Sequence, residues 1–392
     1  MTRMVPQPFI YDQIQYEEYA NKIYNAPFML ASHTYRTYPA PLLFAIVYKL
    51  AGLGNHTALF VVQAIIDSLT AIIIYWIINN TSGSHLTGLI AALLYTVNPF
   101  TSGNVGTVTS ETLTPFLVAL SLLTGILFIK NPSVVMGILL GFCTGITSQA
   151  KPAVTIGSLV ILITVFLWIK WKSNKIVFLG IILGVILTLV YPLYTNWRDY
   201  RELTPFKVDS FYAMEFYNGA TLKKLPPFAQ SWDYPKEQQI MWTEYWSEYF
   251  PGRTPKERHK MAKKYTAMAW NVIRTDPLDY IRWRFFKMWY VWQKENIYPY
   301  TEPGYDTHRT NTFWGNTLLL YLAALGALKG YLADKHRLTN WLWITTIGIL
   351  VSQTLAFSFS HAESRLTLPL YPLIYILAAT GITGWRSKRH KH

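Results

Sequence analysis

The sequence predicts an all-α polytopic membrane protein, and its composition, its long apolar runs and the residues at the ends of those runs support this class. Hydrophobic residues make up 51% of the 392 residues and charged residues only 14%, whereas soluble domains carry about 25% charged residues. The run 176–194, IVFLGIILGVILTLVYPLY, is long enough to cross a bilayer, which takes roughly 20 helical residues. Trp and Tyr mark many of the run ends, as anchors at the membrane–water interface do.

Nine runs are predicted to cross the membrane as helices. The fourth is polar for a segment that faces lipid, because it contains GFCTGITSQA. The stretch 39–53 is also apolar, but it is short, which favours a helix lying at the interface over a crossing. The predicted spans are 57–79, 85–100, 109–129, 134–150, 153–170, 175–194, 313–330, 340–357 and 366–384.

Lysine and arginine predict the orientation of these spans. The tail WRSKRHKH, the connections KWKSNK and DKHR, and Lys130 all fall on one side of the membrane. Positively charged connections mark the cytoplasmic side, so the N-terminus, the 101–110 connection and the SHAESR loop are predicted to face outside. The same basic loops explain much of the net charge of +14, and no nucleic acid partner is predicted.

The predicted spans divide the chain into four parts. A first outer loop with interfacial helices occupies 1–56, and an N-terminal transmembrane bundle follows over 57–194. The extracytoplasmic loop region 195–312 holds 14 of the 21 acidic residues and 18 of the 35 basic ones. The last transmembrane helices and the basic cytoplasmic tail occupy 313–392.

Two helices are predicted inside the extracytoplasmic region. One begins after Thr254, with Pro255 at its first position and Glu257 completing a capping box. The second, in YIRWRFFKMWYVWQ, mixes cations with aromatic residues, which predicts a helix at the lipid headgroups. The first helix has an apolar stripe at helical spacing, which favours packing on the membrane domain: Met261, Tyr265, Met268 and Val272.

Acidic residues are rare outside that region. Asp67 lies in the middle of a span and is predicted to be structural, satisfied by Gln63 or by a neighbouring helix. Glu17 and Glu18 are predicted to line the wet face of a short helix whose inward residues are Ile14, Tyr19 and Ile23. The single cysteine, Cys143, lies in an apolar run, so disulfides play no part. The seven acids are Asp12, Glu17, Glu18, Asp67, Glu111, Asp334 and Glu363.

Three of these acids, Asp12, Glu111 and Glu363, lie at the predicted outer rim of the membrane. Each alone would be an ordinary interfacial charge, but several cations fall at the same rim. Acids facing cations at one membrane surface predict an anionic substrate embedded in the membrane, and a lipid phosphate is the obvious one. The cations at this rim are Arg36, Lys151, Arg198, Arg201 and Arg365.

Transfer of a sugar from a lipid phosphate fits this set of residues. The leaving phosphate is a stable anion that needs cations rather than a general acid, and an acceptor hydroxyl needs a carboxylate base. Walker, GxSxG and HExxH motifs are absent from the sequence. His361 beside Glu363 is a weak metal-binding signal, so no cofactor is required and the use of a divalent metal stays open.

Several segments resemble the GT-C glycosyltransferases, in particular glycosyltransferase family 39, the branch of protein O-mannosyltransferases and lipid A aminoarabinose transferases. YDQIQYEEYA is similar to the family's first outer loop, and YRTYPAPLLFAIVYKLAG to the segment after it. YTVNPFTSGNVGTVTSETL resembles a span end followed by a Ser-Glu pair. Three further elements are similar to family motifs in the same order: GFCTGITSQAKP, YPLYTNWRDYRELTPF and SRLTLPLYPLIYILAATGI.

The resemblance implies a GT-C bundle that transfers a sugar, with inversion, from a polyprenyl-phosphate donor to a hydroxyl of a protein, lipid or glycan. It implies a multi-pass protein of the plasma (inner) membrane with its active site on the extracytoplasmic side. Asp12 takes the place of the catalytic base, and Arg36, Lys151 and Arg365 would hold the donor phosphate. Further candidates are Glu111, Arg198, Tyr16, Glu363 and His361.

The sequence departs from the family pattern at its start. Many members have a span before the Asp and this sequence has none, which leaves open whether a first span lies upstream. Some members have Asp-Glu where this sequence has Asp12-Gln13. From another functional class, a transporter or flippase of an anionic lipid would have broken spans with charges near the midplane. A structural scaffold for envelope assembly is the third alternative, and it would tolerate loss of the Asp12 side chain.

Overall fold

The computed structural model confirms the predicted all-α class. It describes residues 9, 12–31, 36–169, 175–206, 209–221, 254–294, 305–333, 337–359 and 363–384. These residues form helices and no strand. Each of the nine predicted spans corresponds to a helix in this part of the chain.

Fifteen α-helices and three short 3₁₀ helices make up the described residues. The 3₁₀ helices are Phe28–Leu30, Pro152–Val154 and Ser364–Leu370. The α-helices are α1 (Asp12–Asn25), α2 (Pro39–Ala51), α3 (His56–Thr81), α4 (His85–Val97), α5 (Pro99–Ser102), α6 (Leu113–Lys130), α7 (Val134–Ala150), α8 (Thr155–Trp168), α9 (Lys175–Tyr200), α10 (Asp209–Thr221), α11 (Pro255–Thr275), α12 (Pro277–Tyr290), α13 (Tyr305–Ala333), α14 (Arg337–Ser358) and α15 (Tyr371–Thr383).

Several of these helices are suited to a membrane. Five helical segments of the described chain are long and apolar enough to cross a bilayer: α3, α6, α9, α14 and the segment Ser364–Thr383. Helices α4, α7 and α8 are apolar but shorter. At 13 residues, α2 is too short to cross, as the sequence predicts. The protein is therefore a multi-pass membrane protein.

The helices run back and forth between two ends of the bundle. The start of α6, the end of α7 and the start of α15 lie at one end. The ends of α6 and α8 and the start of α14 lie at the other, and there the Nζ of Lys130 donates to Asn80 Oδ1 over 2.9 Å. Arg337 donates to the carbonyl oxygen of Trp168, the last residue of α8. The basic C-terminal tail lies outside the described residues.

Close packing of α7 on α9 explains the polar fourth span. A Cβ on Gly141 would lie 2.0 Å from the carbonyl oxygen of Ile181, and one on Gly184 would lie 2.2 Å from that of Ile138. Small residues let the two backbones touch, as they do in membrane helix pairs. The hydroxyl of Thr144 donates to Leu140 O over 2.8 Å within its own helix, so it presents no unsatisfied donor.

Asp67 is satisfied by a neighbouring helix, which is the second of its two predicted partners. The hydroxyl of Tyr95 in α4 donates to its Oδ1 over 2.6 Å. Gln63 instead donates to the carbonyl oxygens of Val105 and Thr107, over 3.0 and 2.8 Å. Gln63 therefore holds the connection before α6 and is not the partner of Asp67.

The predicted helix start at Thr254 is confirmed. Its hydroxyl and the Glu257 carboxylate form a complete capping box, and Met261 and Tyr265 are buried in a cluster with α10. The stripe therefore packs mainly on α10, which corrects the prediction that it packs on the membrane domain.

Helix α12 buries two of its cations, while its position at the lipid headgroups stays a prediction. Arg284 and Lys287 are buried, and both donate to Gly219 O in the last turn of α10. Arg284 also donates to Ser358 O at the end of α14. Cations favour helix C-termini because the last carbonyls lack partners there. Arg284 thus ties two helix ends together, while an apolar face stays exposed: Leu278, Ile281, Phe285 and Trp289.

Helix α1 also differs in part from its prediction. Tyr19 and Ile23 are buried as expected, but Ile14 is 42% exposed. Glu17 is not a freely solvated residue, because the Tyr48 hydroxyl donates to its Oε2 over 2.6 Å and His56 Nε2 lies 3.3 Å from its Oε1. The helix forms as predicted, but its buried face includes Gln13 and Tyr16 and leaves out Ile14.

Candidate active site

Asp12, at the start of α1, is held between two arginines. Its Oδ1 accepts from a terminal nitrogen of Arg36, which precedes α2. Its Oδ2 accepts from NH1 of Arg365 over 2.7 Å. Arg365 lies in the 3₁₀ helix before α15, 353 residues further along the chain. The fold therefore brings together the predicted base and two of the three predicted phosphate-binding residues.

A second ion pair lies beside the first. Lys151 follows α7 and its Nζ lies 3.1 Å from Oε1 of Glu111, with both side chains largely buried. The charges of Arg365 and Asp12 act on Glu111, so the two pairs share one electrostatic environment. Arg365 also pairs with Glu363. These six residues, Asp12, Arg36, Glu111, Lys151, Glu363 and Arg365, are called the rim cluster below.

Side chains of α1 connect the two halves of the rim cluster. Arg36 donates through Nε to Gln15 Oε1 over 2.9 Å, and its guanidinium lies 4.9 Å from the ring centroid of Tyr16. The Tyr16 hydroxyl donates to Ser110 Oγ over 3.0 Å, next to Glu111 in the chain. Asp12, Gln15 and Tyr16 share one helix face because they lie three and four residues apart.

The connection before α6 carries Glu111 into the cluster, and it is held by its own hydroxyl groups. Asn104 O accepts from Thr107 Oγ1 over 2.7 Å and from Thr112 Oγ1 over 3.2 Å. The backbone N–H of Val108 donates to Gln13 Oε1 over 2.9 Å. A buried connection must satisfy its backbone in this way. Gln13 thus serves as an anchor for this connection at the position where some GT-C members carry Glu.

Both buried carboxylates of the cluster are ionised. Burial raises the pKa of Asp12, but Arg36 and Arg365 outweigh it and lower that pKa from 3.8 to about 2. Burial likewise opposes ionisation of Glu111, and the charges of Lys151 and Arg365 bring its pKa below the usual value. Neighbouring cations favour the charged form of an acid, so the cluster is a set of compensated charges.

Three predicted residues do not join the cluster through any described contact. Arg198 pairs with Asp199 and donates to the carbonyl oxygens of Met29 and Leu30, over 2.8 and 2.9 Å. It therefore holds the 3₁₀ helix that follows α1. Arg201 is exposed and its guanidinium lies 5.6 Å from the ring centroid of Trp197. His361 lies outside the described residues.

Lys294 is a buried cation near the cluster that the sequence analysis missed. Its side chain is 2% exposed, and its Nζ donates to Ser364 O and to Thr367 Oγ1, the latter over 2.8 Å. The only sequence signal is its position at the end of the aromatic and basic run 280–294. That run is one of several in a region with 18 basic residues, so nothing local distinguishes Lys294.

The described residues do not fit a resident divalent metal. No group of three His, Cys, Asp or Glu side chains comes together within the described ranges. Asp12, Glu111 and Glu363 already accept from cationic side chains. Calcium and magnesium bind carboxylate oxygens, and in the described residues these oxygens already face cationic side chains.

Comparison with solved structures defines the class of fold. The oligosaccharyltransferase of Archaeoglobus fulgidus, tethered to an acceptor peptide, matches 94% of this chain with a TM-score of 0.53 and 14% identity. Its apo form matches 93% with a TM-score of 0.53 and 12% identity. This chain spans 45% and 46% of the length of those two chains. The likeness is one of fold, and the fold is that of the GT-C membrane enzymes.

Sequence comparison finds a family model that matches part of the chain. The model of the dolichyl-phosphate-mannose-protein mannosyltransferase family matches residues 37–194, and no curated protein matches the chain. The apo structure of ArnT from Cupriavidus metallidurans matches 91% of this chain and 73% of its own, with 13% identity and a TM-score of 0.42.

The fold, and the family model over residues 37–194, agree with the GT-C resemblance found in the sequence. The resemblance found in the sequence is confirmed to that extent. Glu111 and Lys151 lie inside the matched segment 37–194, whereas Asp12, Arg36 and Arg365 lie outside it.

Proposed function

We propose that this protein transfers a sugar from a polyprenyl-phosphate donor to a hydroxyl acceptor on the extracytoplasmic face of the plasma membrane. The observation that carries the proposal is the pairing of Asp12 with Arg36 and Arg365 at one end of the bundle. A carboxylate beside several cations supplies both the base and the phosphate-binding groups that such a transfer needs.

The proposed reaction is a single displacement. The acceptor oxygen attacks the anomeric carbon, Asp12 takes the hydroxyl proton, and the bond from that carbon to the phosphate oxygen breaks. The electron pair leaves with the phosphate, which stays on the polyprenyl chain as an anion. One displacement inverts the configuration at the anomeric carbon.

The resting ion pairs suggest how the donor activates the base. Both carboxylate oxygens of Asp12 accept from guanidinium groups, and this holds its pKa at about 2. A donor phosphate would compete for the same guanidinium N–H groups, because arginine binds phosphate strongly. The pKa of Asp12 would then rise toward its usual value. The donor would thus bind first, and the acceptor would meet a more basic carboxylate.

We assign roles to the other residues near Asp12 from where they lie. Lys151, paired with Glu111, is proposed to add positive charge for the departing phosphate. Tyr16 is proposed to hold Arg36 in place through its ring. Aromatic side chains of the 195–312 region are proposed to help bind the sugar or the acceptor, whose class stays open among protein, lipid and glycan.

Membranes from cells that make the protein provide the test, because they contain the natural acceptor. Polyprenyl-phosphate mannose, radiolabelled in the sugar, is added to the membranes. We expect label to leave the donor and to appear either in material that organic solvent does not extract or in a lipid product that chromatography separates from the donor. Membranes without the protein are the control. Movement of the labelled lipid across the bilayer without product would contradict the enzyme and favour the flippase.

A further inference from the structure

Lys294 has no part in the proposed reaction, yet it contacts the segment that carries Arg365. It follows α12 in the segment 291–294. Its Nζ donates to the carbonyl oxygen of Ser364, the residue that directly precedes Arg365, and to Thr367 Oγ1 over 2.8 Å. It therefore spans the first turn of the 3₁₀ helix Ser364–Leu370.

The segment that carries Lys294 is itself fixed by three other elements. The hydroxyl of Thr367 lies within donating distance of Val291 O, at 3.1 Å, and of Ser364 O, at 2.9 Å. Asn316 of α13 donates to Trp292 O over 2.7 Å, and the indole N–H of Trp292 donates to Thr354 of α14 over 2.9 Å. Lys294 thus reaches the turn from a rigid support.

The charge environment of Lys294 differs from that of the other cations at this end of the bundle. No described contact pairs it with a carboxylate, and its Nζ lies 5.4 Å from the ring centroid of Tyr371. Burial and the charge of Lys151 bring the pKa of Lys294 well below its usual value. Its two described acceptors are Ser364 O and Thr367 Oγ1. Both acceptors lie on the 364–367 turn, so the described hydrogen bonds of Lys294 all go to this segment.

We propose that Lys294 is a positioning residue that fixes the 364–367 turn and so directs Arg365 at Asp12. Loss of its two hydrogen bonds would free the backbone on both sides of Arg365, and the guanidinium would leave its contact with Asp12 Oδ2. The expected change in donor binding rests on the proposed function. The expected change in the pKa of Asp12 is independent of it.

Infrared titration of Asp12 tests the proposal without any donor. The carboxylic acid band of Asp12 is identified in the purified full chain by its absence from Asp12→Asn. We expect Lys294→Met to raise the pKa of Asp12 by about 1 unit, because one of two neighbouring cations moves away. Lys287→Met is the matched control, since Lys287 is also buried and donates to a carbonyl oxygen, that of Gly219. An unchanged Asp12 pKa in folded Lys294→Met would overturn the proposal.

A second variant separates positioning from a direct charge effect and replaces the first if that one does not fold. Lys294→Gln is uncharged but keeps an N–H donor that can reach the turn. Positioning predicts a smaller rise of the Asp12 pKa in Lys294→Gln than in Lys294→Met. An equal rise in both variants would show that the charge of Lys294 acts on Asp12 directly, and this too would overturn the proposal.

Binding of undecaprenyl phosphate in vesicles gives a double-mutant cycle with Arg365. We expect Lys294→Met and Arg365→Met each to weaken binding about tenfold, and the double variant to be no weaker than Arg365→Met, because residues that act as a unit are non-additive. If the double variant instead bound the lipid more weakly by the product of the two single effects, the positioning role would be overturned. If the unaltered protein does not bind this lipid, the proposed donor fails, and the infrared titration alone decides on Lys294.

Discussion

At the scale of single residues, the resting state of Asp12 is that of a stabilising ion pair rather than of a base. Its side chain is 17% exposed and contacts two guanidinium groups. Replacement by Asn would keep the size of the side chain and remove its charge. It would leave Arg36 and Arg365 without their shared carboxylate, which is costly for largely buried cations.

The depressed pKa of Asp12 predicts a specific pH dependence of stability. Because the pKa falls from 3.8 to about 2 on folding, the stabilisation is complete above pH 3.8 and is lost as the pH falls through about 2. We expect the Tm of the unaltered protein in detergent to exceed that of Asp12→Asn above pH 3.8, and the gap to close toward pH 2. Glu18→Gln, on the exposed side of α1, is the control. A gap that stays constant down to pH 2 would contradict the ion pairs.

At the scale of elements, the pairing of α7 with α9 depends on glycine. The sequence marks GFCTGITSQA as polar for a span, and the structure explains why it still forms one. The glycines allow backbone contact, and the threonine hydroxyls bond within the bundle. The sequence could show the composition of this helix but not its partner, because the partner face on α9 lies 40 residues further along the chain.

Two glycine substitutions with the same chemistry are predicted to have opposite effects. A Cβ on Gly141 would lie 2.0 Å from Ile181 O, whereas one on Gly315 of α13 would meet nothing within 4 Å. Gly141→Ala is expected to destabilise the fold by about 1–3 kcal/mol through overpacking. Gly315→Ala is expected to stabilise it by up to about 1 kcal/mol through helix propensity. Thermal unfolding in detergent measures both, and equal Tm values would contradict the packing.

The predicted helix starts and spans depended on local patterns, and these were largely confirmed. The capping box at Thr254 and Glu257 is local, and the helix begins there. Burial of Arg284, Lys287 and Lys294 was not predictable from the sequence, because each cation contacts a carbonyl oxygen on a distant segment. A run of cations and aromatics has the same pattern whether its cations meet headgroups or helix ends.

At the scale of the whole molecule, the rim cluster joins five separated segments at one end of the bundle. The sequence predicted that these charges lie on one side of the membrane, because Lys and Arg in the connections indicate the orientation of the spans. It did not predict the pairs themselves. Which acid meets which cation depends on packing of α1, α2 and the 3₁₀ helix before α15, and no periodic pattern encodes that packing.

The orientation of the molecule is testable by cysteine labelling. The single cysteine, Cys143, is buried, so Cys143→Ser provides a background. Glu18 and Asn131 are exposed at opposite ends of the bundle. A membrane-impermeant maleimide is expected to label Glu18→Cys in intact cells and Asn131→Cys only after permeabilisation. The reverse pattern would place the rim cluster on the cytoplasmic side and contradict the proposed face of reaction.

The central claim is that Asp12 is the base of a transfer from a lipid phosphate donor, and sugar transfer by Asp12→Asn tests it most directly. The variant, the unaltered protein and Glu18→Gln are compared at equal amounts in membranes supplied with labelled polyprenyl-phosphate mannose. Loss of a general base predicts a rate about 10²–10⁴-fold lower for Asp12→Asn, with Glu18→Gln close to the unaltered protein. Transfer by Asp12→Asn at the rate of the unaltered protein would contradict the claim.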